Sequence, residues 1–253
     1  MKILDSLQTK SKQGKKSIAV LIDPDKINNT AQLEPLLRLA AEDCVDYIFV
    51  GGSLVTTTNI GDVIRTIKEN VSMPVVLFPG SALQIEPTAD AILFLSLISG
   101  RNPDLLIGQH VVAAPILKNN KLEVLPTGYI LINSGKTTSV AYISNTTPIP
   151  EDKYALAACT AMAGEMLGLK LIYLDAGSGA EREVNQKMIT TVKKSVDVPL
   201  IVGGGINTPQ KAFNALQAGA DLIVIGNVLE KTPDLLTEIS DKVYDWNQTI
   251  NVK

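Results

Sequence analysis

Eight short apolar segments recur along the 253-residue chain, and each of them ends in Gly, Asp, Ser or Asn. Their apolar residues are continuous rather than alternating with polar ones, which is typical of strands covered on both faces of a parallel sheet. The segments are residues 17–23, 47–53, 75–81, 91–96, 129–133, 171–177, 200–205 and 222–227. The pattern therefore predicts eight parallel strands.

Segments with apolar residues at helical spacing separate most of these strands. Thr208 followed by Pro209 is a typical helix start, and Gly168 and Gly219 stand where helices should end. The predicted helices cover residues 31–42, 59–70, 102–112, 153–167, 181–195, 208–218 and 233–246.

Eight strands that alternate with helices favour a closed (β/α)₈ TIM barrel, with a doubly wound open sheet as the alternative. No interdomain linker is evident, so we predict one domain over residues 1–253.

The alternation breaks once, where only nine residues (82–90, with Pro87 among them) join strands three and four. A parallel crossover normally needs a dozen residues or more, so the third outer helix should be missing or replaced by an extended segment. The resulting gap is either a thinned wall plugged by a neighbouring loop or an apolar groove for a long hydrophobic ligand.

Composition excludes several classes of protein. The net charge of −3 and the 4% of aromatic residues argue against nucleic-acid binding. Cys44 and Cys159 have no metal-type spacing and lie in helical segments, which predicts two core residues and no disulfide scaffold. Every apolar run is too short for a signal-peptide core or a membrane span, so we expect a cytoplasmic protein.

Glycines follow the predicted strands six, seven and eight, as Gly177, Gly179, Gly204, Gly205 and Gly226. In a TIM barrel the active site lies at the carboxyl ends of the strands, and the last two loops commonly bind phosphate. Glycine lets backbone N–H groups approach an anion closely. The pattern favours a phosphate site over merely tight turns, and such a site needs no cluster of basic side chains.

Polar side chains at other strand ends suggest further chemistry. Asp23 ends strand one and Ser53 ends strand two, which would suit a sparse magnesium site completed by substrate phosphates. The alternative is that Asp23 only caps a turn with Pro24. Asp175 shares a side of strand six with Tyr173, and could be a general base, a hydroxyl anchor or a structural acceptor for the glycine loop.

The remaining charged candidates have weaker patterns. Asp25 and Lys26 are predicted to be solvent-exposed turn residues, although Lys26 could reach an anionic substrate. His110, the only histidine, lies inside a predicted helix, and we assign it packing rather than catalysis. The sequence therefore assembles no Ser-His-Asp triad.

Taken together, these segments resemble the geranylgeranylglyceryl phosphate synthase family, which includes the PcrB-type heptaprenylglyceryl phosphate synthases. The matching segments are LIDPDK (21–26), GGS (51–53), FPGS (78–81), YLDAGSGA (173–180), VGGGI (202–206) and IGN (225–227). They extend from strand one to strand eight, and the last three are specific in combination. The details are most similar to the larger branch, which archaea share with some bacteria.

The resemblance implies a modified TIM barrel that lacks the third helix. It also implies a Mg²⁺-dependent prenyltransferase that joins sn-glycerol 1-phosphate to a polyprenyl diphosphate through an ether bond and releases pyrophosphate. Geranylgeranyl diphosphate is the expected donor, and the family forms homo-oligomers. Release of the lipid product would involve transient contact with a membrane.

The resemblance also assigns residues. It places magnesium at Asp23 and Ser53, and the catalytic acid–base role at Asp175 with Tyr173. The glycerol phosphate would bind at Tyr173, Leu174, Asp175, Ala176, Gly177, Ser178, Gly179, Gly204, Gly205, Gly226 and Asn227. Two residues depart from the family pattern: Ser53 stands for the usual Thr, and Asp175 stands for the usual, longer Glu.

Two other functions remain open from the residues. A phosphate-binding barrel isomerase or lyase of amino-acid biosynthesis would share the glycine cradle, but would need neither magnesium nor an apolar groove. A barrel that binds a phosphorylated ligand without catalysis is the other, and the polar residues at three strand ends argue against it.

Overall fold

The computed structural model describes residues 2–27, 29–42, 45–56, 59–230 and 232–250. Eight parallel strands close into a barrel in sequence order, with the last strand paired to the first. The strands are β1 (Ser17–Ile22), β2 (Tyr47–Gly52), β3 (Val75–Pro79), β4 (Ala91–Leu97), β5 (Glu123–Leu131), β6 (Leu171–Asp175), β7 (Leu200–Gly203) and β8 (Leu222–Ile225). The predicted TIM barrel is confirmed, and the open sheet is wrong.

Helices cover the outside of the barrel and its amino-terminal end. Within the described ranges they are α1 (Ile3–Lys12), α2 (Glu34–Glu42), α3 (Ile60–Asn70), α4 (Gln109–Lys118), α5 (Ser139–Ser144), α6 (Tyr154–Met166), α7 (Gln186–Lys193), α8 (Pro209–Ala218) and α9 (Leu235–Ile250). Each of these helices is too short or too polar to cross a lipid bilayer. Thr208 caps α8 as predicted, since its side chain accepts a hydrogen bond from the Lys211 N–H.

The third outer helix is absent, as the nine-residue connection predicted. A single 3₁₀ turn (Ala82–Gln84) joins β3 to β4. The buried Gln84 amide fixes this turn, because it donates to the Gly52 carbonyl at 3.3 Å and accepts from the Gly80 N–H at 3.0 Å. One side chain thus connects the ends of β2 and β3.

Several boundaries differ from the prediction, most of all those of β5 and of the helix before it. β5 begins at Glu123, six residues before the predicted start, because Pro126 and Gly128 interrupt its apolar pattern. The helix predicted over 102–112 begins as a turn of π-helix (Asp104–Gly108) and continues through α4 to Lys118.

The sequence pattern did not predict α1. Ile3 and Leu7 of this helix join the hydrophobic cluster that fills the barrel interior, together with Phe49 and Leu93. The other residues of α1 are polar or only partly buried, so its apolar signal is weak. The helix therefore closes the amino-terminal end of the barrel.

Three aspartates repeat one arrangement at that same end, each standing directly before a strand. The side chain accepts the N–H of the first or second residue of the preceding strand and pairs with a lysine. The sets are Asp46 with Ile18 N (2.9 Å) and Lys10, Asp90 with Val75 N (2.8 Å) and Lys68, and Asp221 with Leu200 N (2.8 Å) and Lys193. These bonds tie β1 to β2, β3 to β4, and β7 to β8.

Cys159 is exposed on α6, so the prediction that it lies in the core is wrong. The helix turns Ala157, Ala158 and Ala161 toward the barrel, and Cys159 falls on the opposite side. Cys44 lies outside the described residues.

We expect Glu123→Ala to lower the free energy of unfolding by about 1–3 kcal/mol. The Glu123 carboxylate accepts the N–H groups of Ile3 at 2.7 Å and Leu4 at 3.0 Å, at the positive end of the α1 dipole. Urea denaturation measures the loss, with Glu69→Ala, which removes an exposed acid from α3, as the control. Equal effects of the two substitutions would contradict an anchoring role for Glu123.

Candidate active site

A cavity of about 1480 Å³ opens at the carboxyl ends of the strands. Side chains and loops from β1, β2, β6, β7 and β8 meet around it. The residues predicted to bind ligands that do line it are Asp23, Ser53, Tyr173, Asp175, Gly177, Ser178, Gly179, Gly204, Gly205, Gly226 and Asn227. The closed barrel therefore brings the predicted metal and phosphate residues to one space.

Leu174 and Ala176 belong to the predicted phosphate segment but do not line the cavity. Both side chains are buried in the cluster between the barrel and the outer helices, because neighbouring residues of a strand face opposite sides. The Ala176 N–H donates to the Gly203 carbonyl at 3.1 Å. The side chains of these two residues therefore pack away from the cavity.

Gly204 lets two loops approach each other closely. Its φ of +78° lies in the left-handed region, and a Cβ there would be 2.6 Å from Asp175 Oδ1 and 2.7 Å from the Gly177 nitrogen. The β7 loop can therefore lie directly against the β6 loop. Backbone N–H groups at such a junction are suited to binding an anion.

Asp175 is a buried carboxylate at the edge of the cavity. Its Oδ2 accepts a hydrogen bond from the Tyr129 hydroxyl, and its Oδ1 accepts one from the Gly177 N–H at 2.7 Å. Burial raises the pKa of Asp175, and these two hydrogen bonds oppose the rise. Asp175 is therefore oriented as the glycine-loop interpretation predicted, and it is also a stronger base than an exposed aspartate.

Tyr129 is the residue of this site that the sequence analysis missed. It lies in register with Tyr173 on the neighbouring strand, and the two rings meet edge to face at 5.4 Å. Burial and the nearby Asp175 charge raise the pKa of Tyr129 well above its usual range, so the hydroxyl stays a proton donor. Tyr129 begins the predicted fifth strand (129–133), but nothing in that segment pairs it with Asp175 on the next strand.

Phe78 completes an aromatic floor under the cavity. Its ring stacks on Tyr173 at 5.3 Å and lies 6.0 Å from Tyr129. Tyr173 itself is 1% exposed, so its ring supports the site from below.

Asp23 caps the turn that follows β1, as one of the two interpretations predicted, and its carboxylate also faces the cavity. Its Oδ1 accepts the Asp25 N–H at 3.2 Å and caps the 3₁₀ turn Pro24–Lys26, yet the carboxylate also lines the cavity. Burial raises the pKa of Asp23, while the Asp25 N–H and the Lys26 charge lower it.

Asp23 and Ser53 offer one carboxylate and one hydroxyl at neighbouring strand ends. A Cβ at Gly52 would lie 3.6 Å from Asp23 Oδ1, so the missing side chain keeps the carboxylate open toward the end of β2. The described residues include no cluster of three His, Cys, Asp or Glu that could hold a metal. One carboxylate and one hydroxyl fit Mg²⁺, which keeps waters and takes other oxygens from a bound phosphate.

Lys26 is an exposed turn residue, as predicted, but its side chain is also held by hydrogen bonds. Its Nζ donates to Asn227 Oδ1 at 2.6 Å and to Glu230 Oε1 at 2.9 Å. The Asn227 amide in turn donates to Ser178 Oγ at 2.7 Å. This chain of hydrogen bonds connects the loops that follow β1, β8 and β6.

The cavity continues along the outer face of β4, where the third helix is missing. Ile92 and Phe94 form one wall of this groove, Ile85 closes its side, and Ala113 of α4 lies opposite. Of the two interpretations of the short connection, the structure favours the apolar groove, with α4 as its far wall.

His110 also lines the groove but has the packing role that was predicted. It is 8% exposed, its Nε2 is 3.0 Å from Ser96 Oγ, and its ring meets Phe94 edge to face at 4.5 Å. Burial lowers the pKa of His110, so the ring is neutral at physiological pH.

The chain resembles proteins of one family over almost its whole length. A family model described as the PcrB family matches residues 11–243. The geranylgeranylglyceryl phosphate synthase of Spirosoma linguale is 57% identical over 94% of this chain and 95% of its own. The protein of the same name from Pyrococcus furiosus is 41% identical, over 92% of each chain.

Solved structures agree with this resemblance. The (S)-3-O-geranylgeranylglyceryl phosphate synthase from Thermoplasma acidophilum, crystallised in complex with its substrate sn-glycerol-1-phosphate, has a TM-score of 0.90 and 33% identity. The match covers 97% of this chain and 99% of that one. A thiamine phosphate pyrophosphorylase from Pyrococcus furiosus is 14% identical with a TM-score of 0.58, which shows a shared fold alone.

We expect Gly204→Ala to cost about 2–4 kcal/mol of unfolding free energy, because its Cβ would displace Asp175 and the Gly177 peptide. Gly168→Ala is the matched control, since Gly168 also has a positive φ (+95°) but nothing lies within 4 Å of its Cβ position. The control should lose only about 1 kcal/mol of unfolding free energy, the cost of holding an alanine at a positive φ. Urea denaturation compares them, and equal losses would mean that the two loops do not depend on their close approach.

Proposed function

Because the chain belongs to the PcrB family, we propose that it is a prenyltransferase that makes geranylgeranylglyceryl phosphate. The enzyme forms an ether bond between the C3 hydroxyl of sn-glycerol 1-phosphate and the allylic C1 of geranylgeranyl diphosphate, and releases pyrophosphate. One observation carries this proposal: a single cavity contains both a glycine-lined phosphate cradle and an apolar groove.

The glycerol phosphate binds where the β6, β7 and β8 loops meet. Gly177, Gly204 and Gly205 have positive φ values of 88°, 78° and 72°, so their loops can turn sharply around a phosphate. The α8 helix begins close behind at Pro209 and adds its positive dipole end. This arrangement holds a phosphate largely through the backbone.

Asp175 then acts on the C3 hydroxyl. The fixed phosphate leaves the other end of the glycerol near Asp175, whose carboxylate is oriented by Tyr129 and Gly177. As the glycerol oxygen bonds to the allylic carbon, the bond from that carbon to the diphosphate oxygen breaks. The hydroxyl proton passes to Asp175, and pyrophosphate leaves with the electron pair of the broken bond.

The diphosphate binds on the opposite side of the cavity, at Asp23 and Ser53. Burial raises the pKa of Asp23, so a neighbouring cation would stabilise its charged form. Gly52 has no side chain, which leaves room for a cation beside the carboxylate. Asp23 and Ser53 would hold Mg²⁺, which would offset the charge that develops on the departing pyrophosphate.

The prenyl chain extends from this point into the groove along β4. Ile92, Phe94 and Ala113 offer an apolar surface, and burial of a long hydrocarbon there is favourable in proportion to its area. A barrel isomerase or lyase that handles only small phosphorylated substrates would not need this groove.

We expect the purified protein to convert sn-glycerol 1-phosphate and labelled geranylgeranyl diphosphate to the ether product, detected by mass spectrometry, and to lose this activity in EDTA.

Asp23→Ala should lower turnover by about 100-fold or more with Mg²⁺ present, since removing the carboxylate costs several kcal/mol of charge stabilisation. Asp62→Ala, at an exposed ion pair on α3, is the control. Normal transfer by Asp23→Ala would refute the magnesium role, and absence of product from all prenyl lengths would refute the function.

Asp175→Asn should lower kcat by about 100-fold or more, because the proton acceptor is lost while the oxygen that binds the Gly177 N–H remains. In the wild type, kcat should fall as the pH drops through the pKa of Asp175, which burial places above the usual aspartate range. The residual activity of the variant should lack this decline. If kcat declines at the same acidic pH in both proteins, another group causes the decline.

A further inference from the structure

The cavity is poor in positive charge for an enzyme with two phosphorylated substrates. Among the described residues that line it, Lys26 is the only lysine or arginine. The acidic residues lining it are Asp23, Asp104, Asp175 and Glu230. The glycine loops supply N–H groups to one phosphate, but a diphosphate near Asp23 would face carboxylates, whose charge only the proposed Mg²⁺ and the Lys26 side chain would offset.

Lys26 lies at the place where such a charge is needed. Its Nζ is 3.9 Å from Asp23 Oδ2, and it also reaches Asn227 Oδ1 and Glu230 Oε1. An ammonium group has three N–H donors, and the two short hydrogen bonds use two of them. The third remains for the side of Asp23, where the diphosphate is proposed to bind.

The bond to Glu230 can be exchanged at little cost. Both side chains of this ion pair are 35% exposed, and ion pairs that water reaches contribute little net stability. A diphosphate carries more charge than one carboxylate and offers several oxygens, so it competes well for the same ammonium. The Asn227 bond would meanwhile keep the lysine at the cavity.

We propose that Lys26 binds the diphosphate of the prenyl substrate, and that Glu230 is its resident partner, displaced when the diphosphate enters. The inference rests on the proposed function, because it assumes a diphosphate beside Asp23. Lys26 thus binds the leaving group and holds it as the pyrophosphate forms. Its contact with Asn227 also fixes the amide that faces Ser178, but the glycerol phosphate is left mainly to the glycine loops.

Calorimetric titration with inorganic pyrophosphate, in the presence and absence of MgCl₂, tests this assignment. We expect Lys26→Gln to weaken pyrophosphate binding by about 10- to 100-fold, as expected for the loss of a charged hydrogen bond. Lys26→Arg should keep the affinity within about fivefold, and Glu230→Gln should tighten it about two- to fivefold because the competing carboxylate is gone. Lys153→Gln makes the same substitution at an exposed ion pair on the surface and should change nothing.

Steady-state kinetics supply the second readout. Lys26→Gln should raise KM for the prenyl diphosphate more than KM for sn-glycerol 1-phosphate, whereas simple loss of folding would affect both and would appear in urea denaturation. Pyrophosphate affinity within twofold of the wild type, or a rise confined to KM for the glycerol phosphate, would overturn the proposal. If the wild type forms no prenyl product but Lys26→Gln still binds pyrophosphate more weakly than the wild type, the proposed function is wrong and the assignment of Lys26 as an anion-binding residue is retained.

Discussion

The short connection between β3 and β4 is the constraint from which the substrate-binding shape of this barrel follows. A parallel crossover without a helix leaves the outer face of one strand uncovered, and Ile92 and Phe94 of β4 would otherwise meet water. The π-helical turn and α4 come back over this strand without filling the space completely. The gap remains continuous with the mouth of the barrel, so one cavity offers polar loops at one end and an apolar wall at the other.

The polar end of that cavity is lined by few cationic side chains. Backbone N–H groups in the glycine loops are fixed dipoles that need no cationic side chain, so they would let a protein with a net charge of −3 bind phosphate. One of these N–H groups, that of Gly177, binds Asp175 and fixes the carboxylate beside the glycine loops. Lys26 lies on the other side of the cavity, so an anion bound by the backbone and an anion bound by a side chain would occupy separate places.

Local patterns were enough to predict the barrel, because strands covered on both faces are continuous apolar runs. The carboxyl ends of these parallel strands lie at the same end of the barrel. These patterns failed where a strand departs from them, since Pro126 and Gly128 concealed the first part of β5. Tyr129 lay inside the predicted strand, but its contact with Asp175 is visible only in the folded barrel. The sequence pattern did not predict the partly polar α1, because its few apolar residues become buried only when they pack into the open end of the barrel. Leu174 and Ala176 entered the predicted site as members of a contiguous segment, whereas a strand presents only alternate residues to a ligand. The role of Lys26 depends on contacts with residues 201 and 204 positions away, which no local pattern contains.

The shorter acid at position 175 has a structural consequence that the sequence left undecided. Both carboxylate oxygens of Asp175 are engaged, one by Tyr129 and one by the loop that follows it. Gly204 lies so close that a side chain there would collide with Oδ1. An aspartate therefore fits this space with its orientation fixed, and a longer acid would have to extend past Gly204 into the cavity. The Asp175 side chain is one methylene shorter than a glutamate, but its orientation is fixed. A substrate hydroxyl would therefore have to lie close to the loop after β6 to contact it.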